Sequence, residues 1–176
     1  MKEIISPYKN IRHMMKSGDV INWRSESLLG WAIRKFSKAD VNHSSIVIRT
    51  DEFGSDRVFI TEANASGIEM HALSDRLEKH KGKAYWLQLC TGYDSARYGA
   101  RKWALDRIDV GYDYISLFRQ ALGRVSAEAS KLFCSEFAFM ALRDGGAIEK
   151  IKDVTTAPMP GDMAGLGIFY GRVRIK

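Results

Sequence analysis

Between residues 43 and 72 short apolar stretches, β-branched in the first and alternating apolar with polar in the last, are separated by polar turns, the pattern of strands. Three such runs follow one another at 43–49, 57–63 and 68–72, rich in Ile, Val and Thr, with turn-forming residues at 52–55 and 64–67 between them. They predict an antiparallel meander. A short apolar run at 20–23 predicts a strand ahead of it, and 84–89 predicts one behind. Elsewhere the period is helical. Ser6-Pro7 opens a helix that Gly18 stops, and Ser25 or Ser27 caps another whose apolar face is Leu28, Leu29, Trp31, Ala32 and Phe36. Helical pieces follow at 73–79, at 95–107 behind Asp94, and at 112–118, and a strongly apolar one at 133–142 ends at Gly145-Gly146. Pro158 and Pro160 break the chain before a last strand around 168–173. Strands gather early and helices late, so the fold class is α+β. Without repeat, linker or low-complexity stretch, residues 1–176 read as one domain.

Composition narrows the class without choosing a function. With 176 residues, 45% hydrophobic and 27% charged, the chain supports one ordinary core. The net charge of +6 favours anionic contacts, a weak signal that a solvated basic surface also explains. No run has the apolar length of a bilayer span, and the first residues lack the apolar region of a signal peptide. A cytoplasmic location is therefore the expectation. Two cysteines, Cys90 and Cys134, form no CxxC pair, and a reducing compartment argues against a disulfide.

The cysteines differ in setting. Cys90 ends an apolar strand with no hydroxyl, acid or histidine beside it, and reads as a small core residue. Cys134 is placed by the pattern at or near the first turn of a helix. There, unpaired N–H groups and the helix dipole would favour a thiolate and serve as an oxyanion hole. Phe133, Phe137 and Met140 make the same helix greasy, so a core role stays open.

A nucleophilic cysteine needs a base, and the base an orienting group. His13 lies among basic residues and His80 within Lys79-His80-Lys81-Gly82-Lys83, both expected at the surface; His71 stands on a half-polar strand. His43 begins a buried-looking strand and ranks first. Glu62, near the end of the next strand, falls at the same end as His43 if the two pair, and is the candidate orienter. A solvated rim glutamate is the competing reading. No HxxxH, HExxH or paired-cysteine spacing suggests a metal, and no P-loop, GxGxxG or GxSxG motif suggests another chemistry, so no cofactor is expected.

Taken in order, Gly18-Asp19-Val20-Ile21, Asn42-His43-Ser44-Ser45-Ile46-Val47, Thr61-Glu62-Ala63 with Gly67-Ile68, Gly111-Tyr112-Asp113-Tyr114 and Phe133-Cys134-Ser135-Glu136-Phe137 carry a resemblance. The chain resembles the permuted NlpC/P60 papain-like proteins of the YiiX/YebB-like kind, related to the lecithin retinol acyltransferase group. In that group histidine precedes cysteine, the reverse of papain. The resemblance implies a small antiparallel barrel-like sheet packed against helices, one bearing the cysteine. It implies Cys134 as nucleophile, His43 as general base and Glu62 as third member, with Tyr112 and Ser135 on the substrate side. Two positions depart from the pattern: Ser45 replaces the usual glycine two residues after the histidine, and Asn42 the commoner serine before it.

The function so implied is hydrolysis of an amide or ester through a thioester on Cys134, or acyl transfer from it. Its substrates would be peptides, isopeptides or acyl lipids. A ligand-binding module on an inactive scaffold is the alternative from another class, with Trp31, Trp86, Trp103 and Tyr112 available to line an apolar cleft. Nucleic-acid binding ranks third, because Lys79, Lys81 and Lys83 come with no recognised motif. Oligomeric state is not legible.

Overall fold

The structure is a computed structural model that describes residues 4–27, 31, 34–35, 39–50, 57–64, 67–108, 129–148 and 159–176, and the side chains of these except 129–134. The strands are β1 (Ile4–Ile5), β2 (Val20–Ser25), β3 (His43–Ile48), β4 (Phe59–Asn64), β5 (Gly67–Ala72), β6 (Gly82–Leu89) and β7 (Phe169–Arg174). The helices are α1 (Tyr8–Ile11), α2 (Leu73–Lys79), α3 (Ala96–Leu105) and α4 (Ala129–Asp144), with short 3₁₀ turns at Arg12–Met14, Thr91–Tyr93 and Met163–Gly165. The class is α+β. The predicted helix at 28–36 falls largely, and that at 112–118 wholly, outside the described residues.

The strands form one sheet in the order β1-β7-β6-β2-β3-β4-β5. The meander β3-β4-β5 is antiparallel, as the strand runs and the turns between them predict, and β2 lies between β3 and β6. The expected small barrel-like antiparallel sheet is corrected in two respects. The described sheet is open, running from β1 to β5 without a closing pair, and β1 runs parallel to β7. β1 has only two residues, too few to leave a periodic signal. The predicted first helix is likewise shorter, one α-turn followed by a 3₁₀ turn.

Strand alternation divides the core. One face presents Val20, Ile46, Ile48, Ala63, Leu87 and Leu89 to α3 and α4. The other presents Ile21, Trp23, Val47, Ile60, Ala84 and Trp86 to α2 and the first segment. The end of α4 lies so close to α3 that a Cβ on Gly145 would sit 2.6 Å from the Ala100 nitrogen. Glycine is required there by contact, not only as a helix stop. Among the described residues no helix is long and apolar enough to cross a membrane.

Asp19 ties β2 to β6 and α3. Its buried carboxylate accepts hydrogen bonds from the Lys16 and Leu89 amides, Trp86 Nε1 and Arg97 Nη1, at 2.8–3.0 Å. Arg97 also donates to the carbonyls of Ser17 and Leu89 and to Asp94. Four donors thus converge on one buried carboxylate, which makes the Gly18-Asp19 motif a structural staple.

Candidate functional site

His43 is the first residue of β3, opposite Trp23 of β2. Glu62 lies on β4, and the register Ile46–Thr61 sets its side chain on the same face as Ser45 and Trp23. His43 Nε2 and Glu62 Oε2 are 2.6 Å apart. The carboxylate can only accept, so Nε2 is the donor and Nδ1 becomes the basic nitrogen of the neutral ring.

Glu62 is 1% exposed, not a solvated rim residue, and its two oxygens are divided between different partners. Oε2 accepts from His43 and from the Ser45 hydroxyl at 2.9 Å, while Oε1 accepts from Arg76 Nε of α2 at 2.9 Å. Ser45 in turn accepts from Trp23 Nε1 at 2.7 Å, and the Arg76 guanidinium lies over the Trp23 ring, 4.9 Å from its centroid. Burial alone would raise the Glu62 pKa. The hydrogen bond and charge of His43, followed by Arg76, overcome that and hold the carboxyl far below its usual range. Glu62 is therefore ionised at neutral pH, a fixed negative charge beside the imidazole.

The other histidines fall elsewhere. His13 is exposed. His71 pairs with Glu69 at 3.0 Å and stands 3.8 Å from Glu62 Oε1. His80 overturns its surface expectation: it is 7% exposed and packs edge-on against Trp23, with ring centroids 4.9 Å apart. The chain bends at Gly82 (φ +135°), where a Cβ would meet the Arg24 carbonyl, and this bend tucks the basic loop's histidine under β2.

Cys134 lies within α4, whose first residue is Ala129. It is the sixth residue of the helix, not part of the first turn, so the unpaired N–H groups that end a helix are not at this position. The helix-start argument for a low thiol pKa and an oxyanion hole is corrected accordingly. The Cys134 side chain and all of Tyr112 lie outside what is described. Ser135 is fully buried, and among the described residues its hydroxyl has no hydrogen-bond partner. Cys90, past the end of β6, is a half-buried free thiol.

Sequence reasoning overlooked Ser45 as a donor, and Trp23 and Arg76 altogether. Ser45 carried the one available signal, as a hydroxyl where the resembled pattern has glycine. Together these residues make a His–Glu pair clamped from three sides.

That geometry sits in a known architecture. The crystal structure of metalloprotein yiiX from Escherichia coli O157:H7, DUF1105, superposes with a TM-score of 0.55 at 16% identity, covering 76% of this chain and 67% of that one. The chain has the YiiX fold. The resemblance drawn from the sequence is thus met at the level of architecture. No protein-family model matches the sequence, and no curated protein does. YiiX is described as a metalloprotein. In the present chain no three His, Cys, Asp or Glu side chains among the described residues come together to hold a metal ion.

Proposed function

We propose that the protein is a cysteine hydrolase of the permuted NlpC/P60 type, with Cys134 as nucleophile, His43 as general base and Glu62 as the group that orients the base. The observation that carries this reading is the 2.6 Å contact from His43 Nε2 to a buried, ionised Glu62. It fixes the ring, selects the tautomer and turns Nδ1 into the proton acceptor. The YiiX fold and the order of histidine before cysteine support it.

In the proposed reaction His43 Nδ1 takes the Cys134 thiol proton as sulfur attacks an amide or ester carbonyl. The imidazolium then protonates the leaving amine or alcohol, and water resolves the thioester. Since α4 packs on the face of the sheet opposite Glu62, the proposed reaction requires His43, at the end of β3, to meet Cys134 around that edge. Peptides, isopeptides and acyl esters are the substrates that fit this chemistry; an acyl acceptor other than water would make the same intermediate a transferase. A reducing, cytoplasmic setting would keep the thiol active.

Iodoacetamide labelling of folded protein tests the site. Cys134 should react faster than Cys90, and His43→Ala should remove the difference. Equal rates for both cysteines in the wild type would refute an activated thiolate. Intact mass after exposure to an activated acyl ester should show one adduct on Cys134, whereas a ligand-binding module would carry the ester without one.

A further inference from the structure

Arg76 binds the oxygen of Glu62 that His43 does not use. We infer that Arg76 is a positioning residue that sets how strongly Glu62 holds the His43 ring in its protonated form. This rests on the reading of His43 as the base.

Three features of the structure point to this role. Arg76 Nε lies 2.9 Å from Glu62 Oε1, so guanidinium and imidazole share one carboxylate from its two ends. Arg76 is held from a second side by the Trp23 ring, whose own N–H is tied through Ser45 back to the same carboxylate. Glu62 is almost wholly buried, so neither charge acts on it through bulk water. A carboxylate facing only His43 would stabilise the imidazolium with its full charge and make the ring a reluctant proton donor to a leaving group. The guanidinium offsets part of that charge and repels the imidazolium, bringing the ring toward a protonation equilibrium useful in both directions.

Among the described residues the other ionisable groups close to the pair do not duplicate this. On β5, His71 lies 3.8 Å from Glu62 Oε1 but is half-exposed and engaged with Glu69 at 3.0 Å. On α4, which packs against β3 and β4, Glu136 is buried, and neither of its oxygens hydrogen-bonds to the cluster. Among the described residues Arg76 is the permanently charged group in direct contact with Glu62.

The test is the titration of the His43 ring followed by NMR in the full chain, its signal assigned by its loss in His43→Asn. In Arg76→Gln, which keeps a donor to Glu62 but no charge, the His43 midpoint should rise by about one pH unit. In Arg76→Lys, which restores the charge, it should return close to the wild-type value. An unchanged midpoint in Arg76→Gln would overturn the inference, as would an equal shift in both variants, which would mark a packing role only. Thermal unfolding of each variant shows that the fold is intact; Arg76 is partly exposed, so both should fold. The titration of the ring and the reactivity of Cys134 are separate readouts. A shifted His43 beside a Cys134 no more reactive than Cys90 would uphold the coupling and refute the hydrolase reading, while a reactive Cys134 with an unshifted His43 would do the reverse.

Discussion

The ring of His43 and the hydroxyl of Ser45, two residues apart on one strand, converge on the same oxygen of Glu62 at 2.6 and 2.9 Å. Alternation along β3 places both on one face, and the antiparallel register brings Glu62 across from them. A glycine at position 45 would leave that oxygen with one donor fewer and Trp23 Nε1 without its acceptor.

Ser45→Ala should therefore lower stability by about 1–3 kcal/mol, the cost of stranding a buried indole N–H and weakening a buried carboxylate. Urea denaturation measures it. Ser45→Gly should cost more, because it adds backbone freedom to a strand. If either variant were as stable as the wild type, Ser45 would not be a member of the clamp.

Glu62→Gln tests the orienter. An amide can present either a carbonyl or an NH₂ to His43, so the ring loses its fixed tautomer and its counter-charge. Thioester formation on Cys134 should fall by at least about 100-fold. Stability should follow pH in a defined direction. Glu62 titrates below its ordinary value near 4.5 in the folded state, so its contribution is present above that pH and lost as pH falls through the lower folded value. The gap between wild type and Glu62→Gln should be full at pH 7 and close progressively in acid.

How much of this was legible before folding depends on range. The meander was readable because β-branched runs and turn residues are local signals, and the helix at 73–79 appears with the bounds its sequence predicts. The approach of His43 to Glu62 followed from pairing two adjacent strands. The role of Arg76 did not. On a short amphipathic helix a lone arginine looks like a solvent charge, and only the packing of α2 beneath β2 and β4 turns it inward. His80 was misplaced for the same reason, since a basic loop gives no sign that Trp23 covers its imidazole. The start of α4 was read late because 129–132, Ala-Ser-Lys-Leu, lacks the greasy run that made 133–142 conspicuous.

Arg97→Met should be among the most destabilising single changes. It strands the fully buried Asp19 carboxylate and leaves the Ser17 and Leu89 carbonyls without their donor. Losing one member of a buried pair typically costs about 3–5 kcal/mol. Asp19→Asn with Arg97→Met should recover part of the loss, because no unpaired charge then remains. A double variant no more stable than Arg97→Met would show that the backbone contacts of Arg97, not its charge pairing, dominate.

Glu136 makes the opposite pH prediction from Glu62. Its carboxyl is 1% exposed, neither oxygen has a hydrogen-bond partner among the described residues, and burial pushes its pKa up to about 7 from 4.5. In the unfolded chain the group gives up its proton at lower pH, so between those values the folded state binds more protons than the unfolded one. Stability from this group is accordingly full below about pH 4.5 and declines as pH rises toward 7. A separation of this size corresponds to roughly 3 kcal/mol lost by pH 8. Glu136→Gln removes the titration while keeping the shape, so it should match the wild type at pH 4 and exceed it by about that amount at pH 8. Urea midpoints of the two proteins at both pH values measure the difference. Parallel stability curves across that range would mean that the Glu136 carboxyl reaches water or a partner when it ionises.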